Sequence, residues 1–203
     1  MSTITAPTLS PAPIPARIYT PFDVLEMSDG VRYELVDGRL VELTMGFLSQ
    51  RLGFRVGHLL ENHCEPSGLA YVVTEAGYTC FPDRPGRMRR PDVSLVLAER
   101  MTPELMGRGF LPIRPDLAIE IVSPNDTIYD LEEKLVDYRD AQIPLVWIVI
   151  PSTRRVRVLR HNGPTSELGP DDELTADPIL PGFRCLVADL FAGLPSAEPA
   201  PGA

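Results

Sequence analysis

The amino-acid sequence predicts an α/β (α+β) domain built around one mixed central sheet flanked by helices. Two observations carry this. Segments with a hydrophobic period of two are interleaved with two or three segments of helical period. The runs DLAIEIV at 116–122 and LVWIVI at 145–150 are too continuously apolar for strands with one wet face, so both faces of the sheet must be covered. At 203 residues, with 44% apolar and 23% charged side chains, the chain fits one globular domain.

In chain order, residues 1–17 carry prolines at 7, 11, 13 and 15 and read as an extended, weakly ordered tail, as does PSAEPAPGA at 195–203. The domain is expected over 18–194. Thr20 and Pro21 offer an N-cap and a first-turn proline, with Asp23 at the third helical position, for a short helix through Met27. RYELV and RLVEL flank Asp37-Gly38, a strong hairpin signal that places Glu34 on a strand. A helix over 48–64 puts Leu48, Leu52, Val56, Leu59 and Leu60 on one side, with Gly68 beyond its end. Strands are predicted at 71–81, 92–97 and 116–122, the first two separated by PDRPGRMRRP, whose prolines and glycine exclude regular structure. A helix from Ile128 to Ala141 has Ile128, Leu131, Leu135 and Tyr138 as its apolar stripe and must stop before Pro144. Strands at 145–150 and 154–160 follow, and no internal repeat is present.

The net charge of -9 argues against indiscriminate polyanion binding, which uses a basic surface to release counterions. No apolar run is long enough to span a bilayer, and the N-terminal segment lacks a basic start and an apolar core, so neither membrane insertion nor secretion is expected. Three cysteines without a C-x-x-C pair specify neither a disulfide framework nor a zinc cage, and fit a cytoplasmic location. His58 and His63 stand about 140° apart on a helix and cannot share a zinc ion. Trp147 reads as core.

Of the 19 basic residues, Lys134 is the single lysine. In an arginine-dominated chain, a retained lysine marks a position where a compact, rotatable ammonium is needed and a guanidinium fork fits poorly. Lys134 borders the apolar stripe of its helix, from which it can snorkel towards the sheet. Glu120, flanked by Ile119 and Ile121, is an acid inside an apolar strand, costly to bury unless a cation binds it. Asp92 follows Pro91 at the start of another. On neighbouring strands these two carboxylates can converge on one hard divalent cation, to which Glu34 could add a third oxygen.

These residues carry a resemblance. ELVDG at 34–38, RPDVSLVLAER at 90–100, PDLAIEIVSPNDT at 115–127, Lys134, Tyr138, IPLVWIVIP at 143–151 and LPGF at 180–183 resemble the Uma-type restriction-endonuclease family of the PD-(D/E)XK nuclease superfamily, over about residues 20–190. The resemblance implies a restriction-endonuclease-like fold with a mixed central sheet and a magnesium site, where manganese can substitute. Asp92 takes the place of the PD aspartate, Glu120 of the second acid and Glu34 of the acid in the N-terminal ELxDG element. The superfamily lysine two residues after the second acid is replaced by Val122, and Lys134 on the following helix stands in for it. No histidine lies near Ser49-Gln50, where relatives tend to have one, so no catalytic histidine is assigned.

The expected function is magnesium-dependent endonucleolytic cleavage of DNA. Asp92, Glu120 and the carbonyl of Val122 would hold the metal, Glu34 a second ion or an ordered water, and Lys134 the attacking water. Arg87, Arg89 and Arg90, which lead into the strand of Asp92 together with Arg84, are expected to contact substrate phosphates. A second arginine group, Arg154, Arg155, Arg157 and Arg160, surrounds the last strand pair. A homodimer is the expected assembly. The alternative is a non-catalytic interaction or nucleic-acid-associated homodimeric module on the same fold, favoured by the acidic charge and the absent lysine beside Glu120.

Overall fold

The structure, a computed structural model, describes residues 17–43, 46–81 and 83–195. The proline-rich segments at the two ends therefore fall almost wholly outside the described residues. Thr20 caps helix α1 (Pro21–Glu26) through a reciprocal capping box with Asp23. Strands β1 (Tyr33–Val36) and β2 (Arg39–Glu42) form the hairpin, with Asp37 and Gly38 both at positive φ, 48° and 76°, as a two-residue type I′ turn demands. Helix α2 (Phe47–Cys64) leads to β3 (Ala70–Thr74), β4 (Gly77–Tyr78) and β5 (Val93–Leu97). Then come α3 (Pro103–Met106), β6 (Phe110–Leu111), β7 (Leu117–Ile121), α4 (Ile128–Asp140), β8 (Leu145–Ile150) and β9 (Arg155–Arg160). Short strands β10 (Ser166–Leu168), β11 (Glu173–Thr175) and β12 (Arg184–Leu186) and helix α5 (Val187–Leu190) complete the chain.

Six strands make the central sheet in the order β10-β9-β8-β7-β5-β3, with β7 and β8 parallel and every other pair antiparallel. The helix between β7 and β8 supplies the crossover that a parallel pair needs. The period-two reading of β7 holds on both faces. Leu117, Ile119 and Ile121 join Leu52, Val56 and Leu60 of α2 in the main core. Ala118 packs with Leu135 and Tyr138 of α4 on the opposite face, the face to which Glu120 belongs. Among the described residues, no helix is long and apolar enough to cross a membrane.

The structure departs from the sequence reading in three places. The strand expected over 71–81 breaks after Thr74, because Glu75 adopts a left-handed conformation (φ 54°), and β4 pairs instead with β6 in a separate small sheet. Arg90 holds this turn, donating to the carbonyls of Glu75 (2.9 Å) and Tyr33 (3.1 Å). The proline-rich loop, expected to lack regular structure, is pinned by two isolated bridges. Met88 pairs with Leu35 and Arg89 with Tyr78 as isolated bridges, and Gly86 accepts from Gly38 N at 2.9 Å, so close that a Cβ there would meet the hairpin backbone. Ile128 is 61% exposed, so the apolar stripe of α4 begins only at Leu131.

Candidate active site

Antiparallel pairing of β5 with β7 sets Val93 opposite Ile119, so Asp92, the residue before β5, reaches the end of β7. There Asp92 Oδ2 accepts from Ile121 N at 2.6 Å, taking the place of the next ladder hydrogen bond. Glu120 points to the α4 face, is nearly inaccessible, and accepts from Tyr138 Oη and from Lys134 Nζ (3.1 Å). The two donors lie four residues apart, one above the other on one side of α4. Glu34, fully buried on β1, completes the group: its Oε1 accepts from Arg90 N at 2.8 Å and lies 3.3 Å from Lys134 Nζ, and its Oε2 accepts from Arg89 at 3.0 Å.

Glu34, Asp92, Glu120 and Lys134 thus border one cleft of ≈ 120 Å³, whose rim adds Glu42, Ser123, Asp126 and Asp130. Burial and the neighbouring Glu120 push the Asp92 carboxyl up to about 8. Burial likewise raises Glu120, against the pull of Lys134. Although burial opposes the charge of Lys134, the carboxylates of Glu120, Glu34 and Asp92 outweigh it and keep the ammonium above the ordinary lysine range. Tyr138 is held well above the usual tyrosine range by burial and by Glu120, so it stays a donor.

Among the described residues, no three His, Cys, Asp or Glu side chains form a ready-made metal cage. The donors present nevertheless suit a hard divalent ion. Asp92 and Glu120 offer carboxylate oxygens from adjacent strands, and Asp92 is raised first by burial and then by the neighbouring Glu120, both costs that a bound cation relieves.

Two expectations are corrected and one is refined. The carbonyl of Val122 is not the third oxygen. Val122 N donates to Val149 O, so the peptide groups of Val122 face β8, whereas Ile121 turns its N–H, and with it its C=O, to the side of Asp92. Glu34 has both oxygens engaged, Oε2 by Arg89 and Oε1 by Lys134 and the backbone of Arg90, and in this arrangement it seats the lysine. Arg87, Arg89 and Arg90 are not free to grip phosphates, being 3%, 2% and 8% exposed.

The partner of Arg87 and Arg89 is a residue the sequence reading overlooked, whereas the Arg90 side chain donates to backbone carbonyls. Asp137, fully buried on α4, accepts from Arg84 (2.7 Å), Arg87 (2.8 Å) and Arg89 (2.6 Å). Arg87 also donates to Asp37 (2.9 Å) and Glu133 (3.2 Å). Arg89 spans Asp137 and Glu34, so one chain of ion pairs runs from the loop through the hairpin to Lys134. A signal for Asp137 and Tyr138 existed: both lie one turn beyond Lys134, at the spacings that share its face.

The family described as "Uma2: Putative restriction endonuclease" matches residues 20–188. A crystal structure described as that of "a putative nuclease belonging to DUF820" from Anabaena variabilis is similar with a TM-score of 0.68 and 19% identity, covering 78% of this chain and 89% of that chain. At that identity the likeness is one of fold. No curated protein matches the chain.

Proposed function

The chain belongs to the Uma2 restriction-endonuclease family, and from that premise we propose that it is a divalent-metal-dependent endonuclease hydrolysing phosphodiester bonds of DNA. The reading rests on one observation: two confined carboxylates and the only lysine of the chain border the same small cleft. Asp92, Glu120 and the carbonyl of Ile121 would hold magnesium or, in its place, manganese. When bound, such an ion supplies Lewis acidity to a phosphoryl group.

The remaining roles belong to the chain itself. Ile121 N–H orients Asp92, and Tyr138 fixes one oxygen of Glu120. Lys134 Nζ, held from behind by Glu34, directs a proton towards the attacking water or a phosphoryl oxygen and offsets the charge that grows there. A planar guanidinium could not turn to do so from the same point.

Calorimetric titration with manganese, paired with cleavage assays on plasmid and single-stranded DNA, tests the reading. Binding of one ion or more and metal-dependent cleavage are expected, both lost in Glu120→Gln. A folded protein that binds no metal at millimolar concentration would leave only the non-catalytic alternative.

A further inference from the structure

A cavity of ≈ 640 Å³ opens beside the cleft, and Ser49 and Ser123 line both. Its walls are largely apolar, formed by Val122, Pro124, Pro151, Phe191 and Leu194, with Arg154 as its cation. The guanidinium of Arg154 stands 5.9 Å from the centroid of the Phe191 ring and is anchored on the carbonyl of Pro195. The size and mixture fit a concave small-molecule site: apolar walls with a few polar groups.

The charges of the adjoining cleft say what such a cavity would take. Its rim carries Glu42, Asp126 and Asp130, and the arginines of the neighbouring loop are spent on Asp137, Glu133, Glu34 and Asp37. A surface of that kind grips duplex backbone poorly, since backbone affinity comes from cations that displace counterions. Affinity must then come from burying bases, and a base can enter a concave pocket only when it is unpaired.

We propose that this cavity is a nucleobase subsite, which makes the substrate of the cleft DNA that is single-stranded or locally unpaired next to the scissile phosphate. The proposal rests on the nuclease reading for the position of that phosphate. Val122 and the two prolines flank the base, the Arg154 guanidinium lies against its π-face or edge, and Ser49 and Ser123 stand between base and phosphate.

The test is fluorescence anisotropy in calcium with three probes: a mixed-sequence single-stranded oligodeoxynucleotide, the same strand in a duplex, and an abasic strand with the same number of phosphates. The base-bearing single strand should bind about 10-fold or more tightly than either of the others. Ser152→Trp, at the exposed rim, should erase that preference while Ser152→Ala keeps it. Equal affinity for the abasic strand overturns the proposal, as does failure to bind the base-bearing strand or a concentration-dependent dimer that Ser152→Trp abolishes. Cleavage in manganese is scored separately. Base-selective binding without cleavage removes the nuclease reading alone, and cleavage indifferent to missing bases removes the subsite alone.

Discussion

Lys134 Nζ lies 3.1 Å from Oε2 of Glu120, although the two residues stand on different elements fourteen positions apart. The same ammonium reaches Glu34 at 3.3 Å, so the side chain ties the centre of the sheet to the N-terminal hairpin. Glu34 and Glu120 are both buried, and this shared cation, with Arg89 on Glu34 and Tyr138 on Glu120, makes two interior carboxylates tolerable.

Lys134→Met should therefore destabilise the metal-free protein by about 3 kcal/mol, the scale for removing one partner of a buried ion pair. Glu120→Gln added to Lys134→Met should restore a large part of the loss, because the second change removes an anion left unpaired. Urea midpoints of the four proteins measure the coupling, and strict additivity would show that the pair is energetically independent.

Lys134→Arg keeps the charge and should preserve most of the stability. Cleavage should nonetheless fall about 10²-fold with metal and DNA binding little changed, the pattern of an interaction made mainly in the transition state. Single-turnover rates decide. A full rate in this variant removes Lys134 from the chemistry.

Asp92 sets a pH dependence. Its folded carboxyl titrates near 8, above the ordinary 3.8, because of burial and of Glu120. Between those values the folded state keeps a proton that the unfolded chain has released. The contribution of Asp92 is thus fully present below the lower value and is lost as pH rises through the upper one. Denaturant midpoints in EDTA should decline from about pH 5 to about pH 9, and Asp92→Asn should flatten the decline. An identical slope in the variant would assign the effect to another group.

Asp137→Ala should be among the most damaging single substitutions, costing about 3 kcal/mol, since it removes the acceptor shared by Arg84 and the buried Arg87 and Arg89. Asp137→Glu keeps the anion at the expense of one extra methylene and should recover part of the loss. Thermal and urea unfolding measure both.

Arg87→Ala should lower stability and leave the salt dependence of DNA affinity unchanged. A phosphate-binding arginine would do the reverse, reducing the slope by about one. Anisotropy titrations at several salt concentrations distinguish the two.

Much of this architecture is written in consecutive residues. Asp37-Gly38 defines the hairpin because both turn residues must accept positive φ, and the Thr20 and Asp23 box starts α1. The period of two put Glu120 on the face opposite Ile119 and Ile121, where α4 covers it. Composition singled out Lys134, and the apolar setting of Glu120 announced a buried acid in need of a cation.

What the local pattern could not contain is the partner of each buried charge. Arg87, Arg89 and Arg90 read as phosphate contacts because the acid that neutralises the first two, Asp137, lies 48 or more residues away and meets them only when α4 packs against the loop. The exchange of Val122 for Ile121 has the same origin. Consecutive residues alternate the sides of their peptide groups, but which side faces Asp92 depends on β5 and β8 flanking β7. The break at Glu75 is held by Arg90 from fifteen residues downstream. Periodicity and turn chemistry are properties of neighbours in the chain, whereas the cost of burying a charge is settled by whichever group the fold brings within about 3 Å of it.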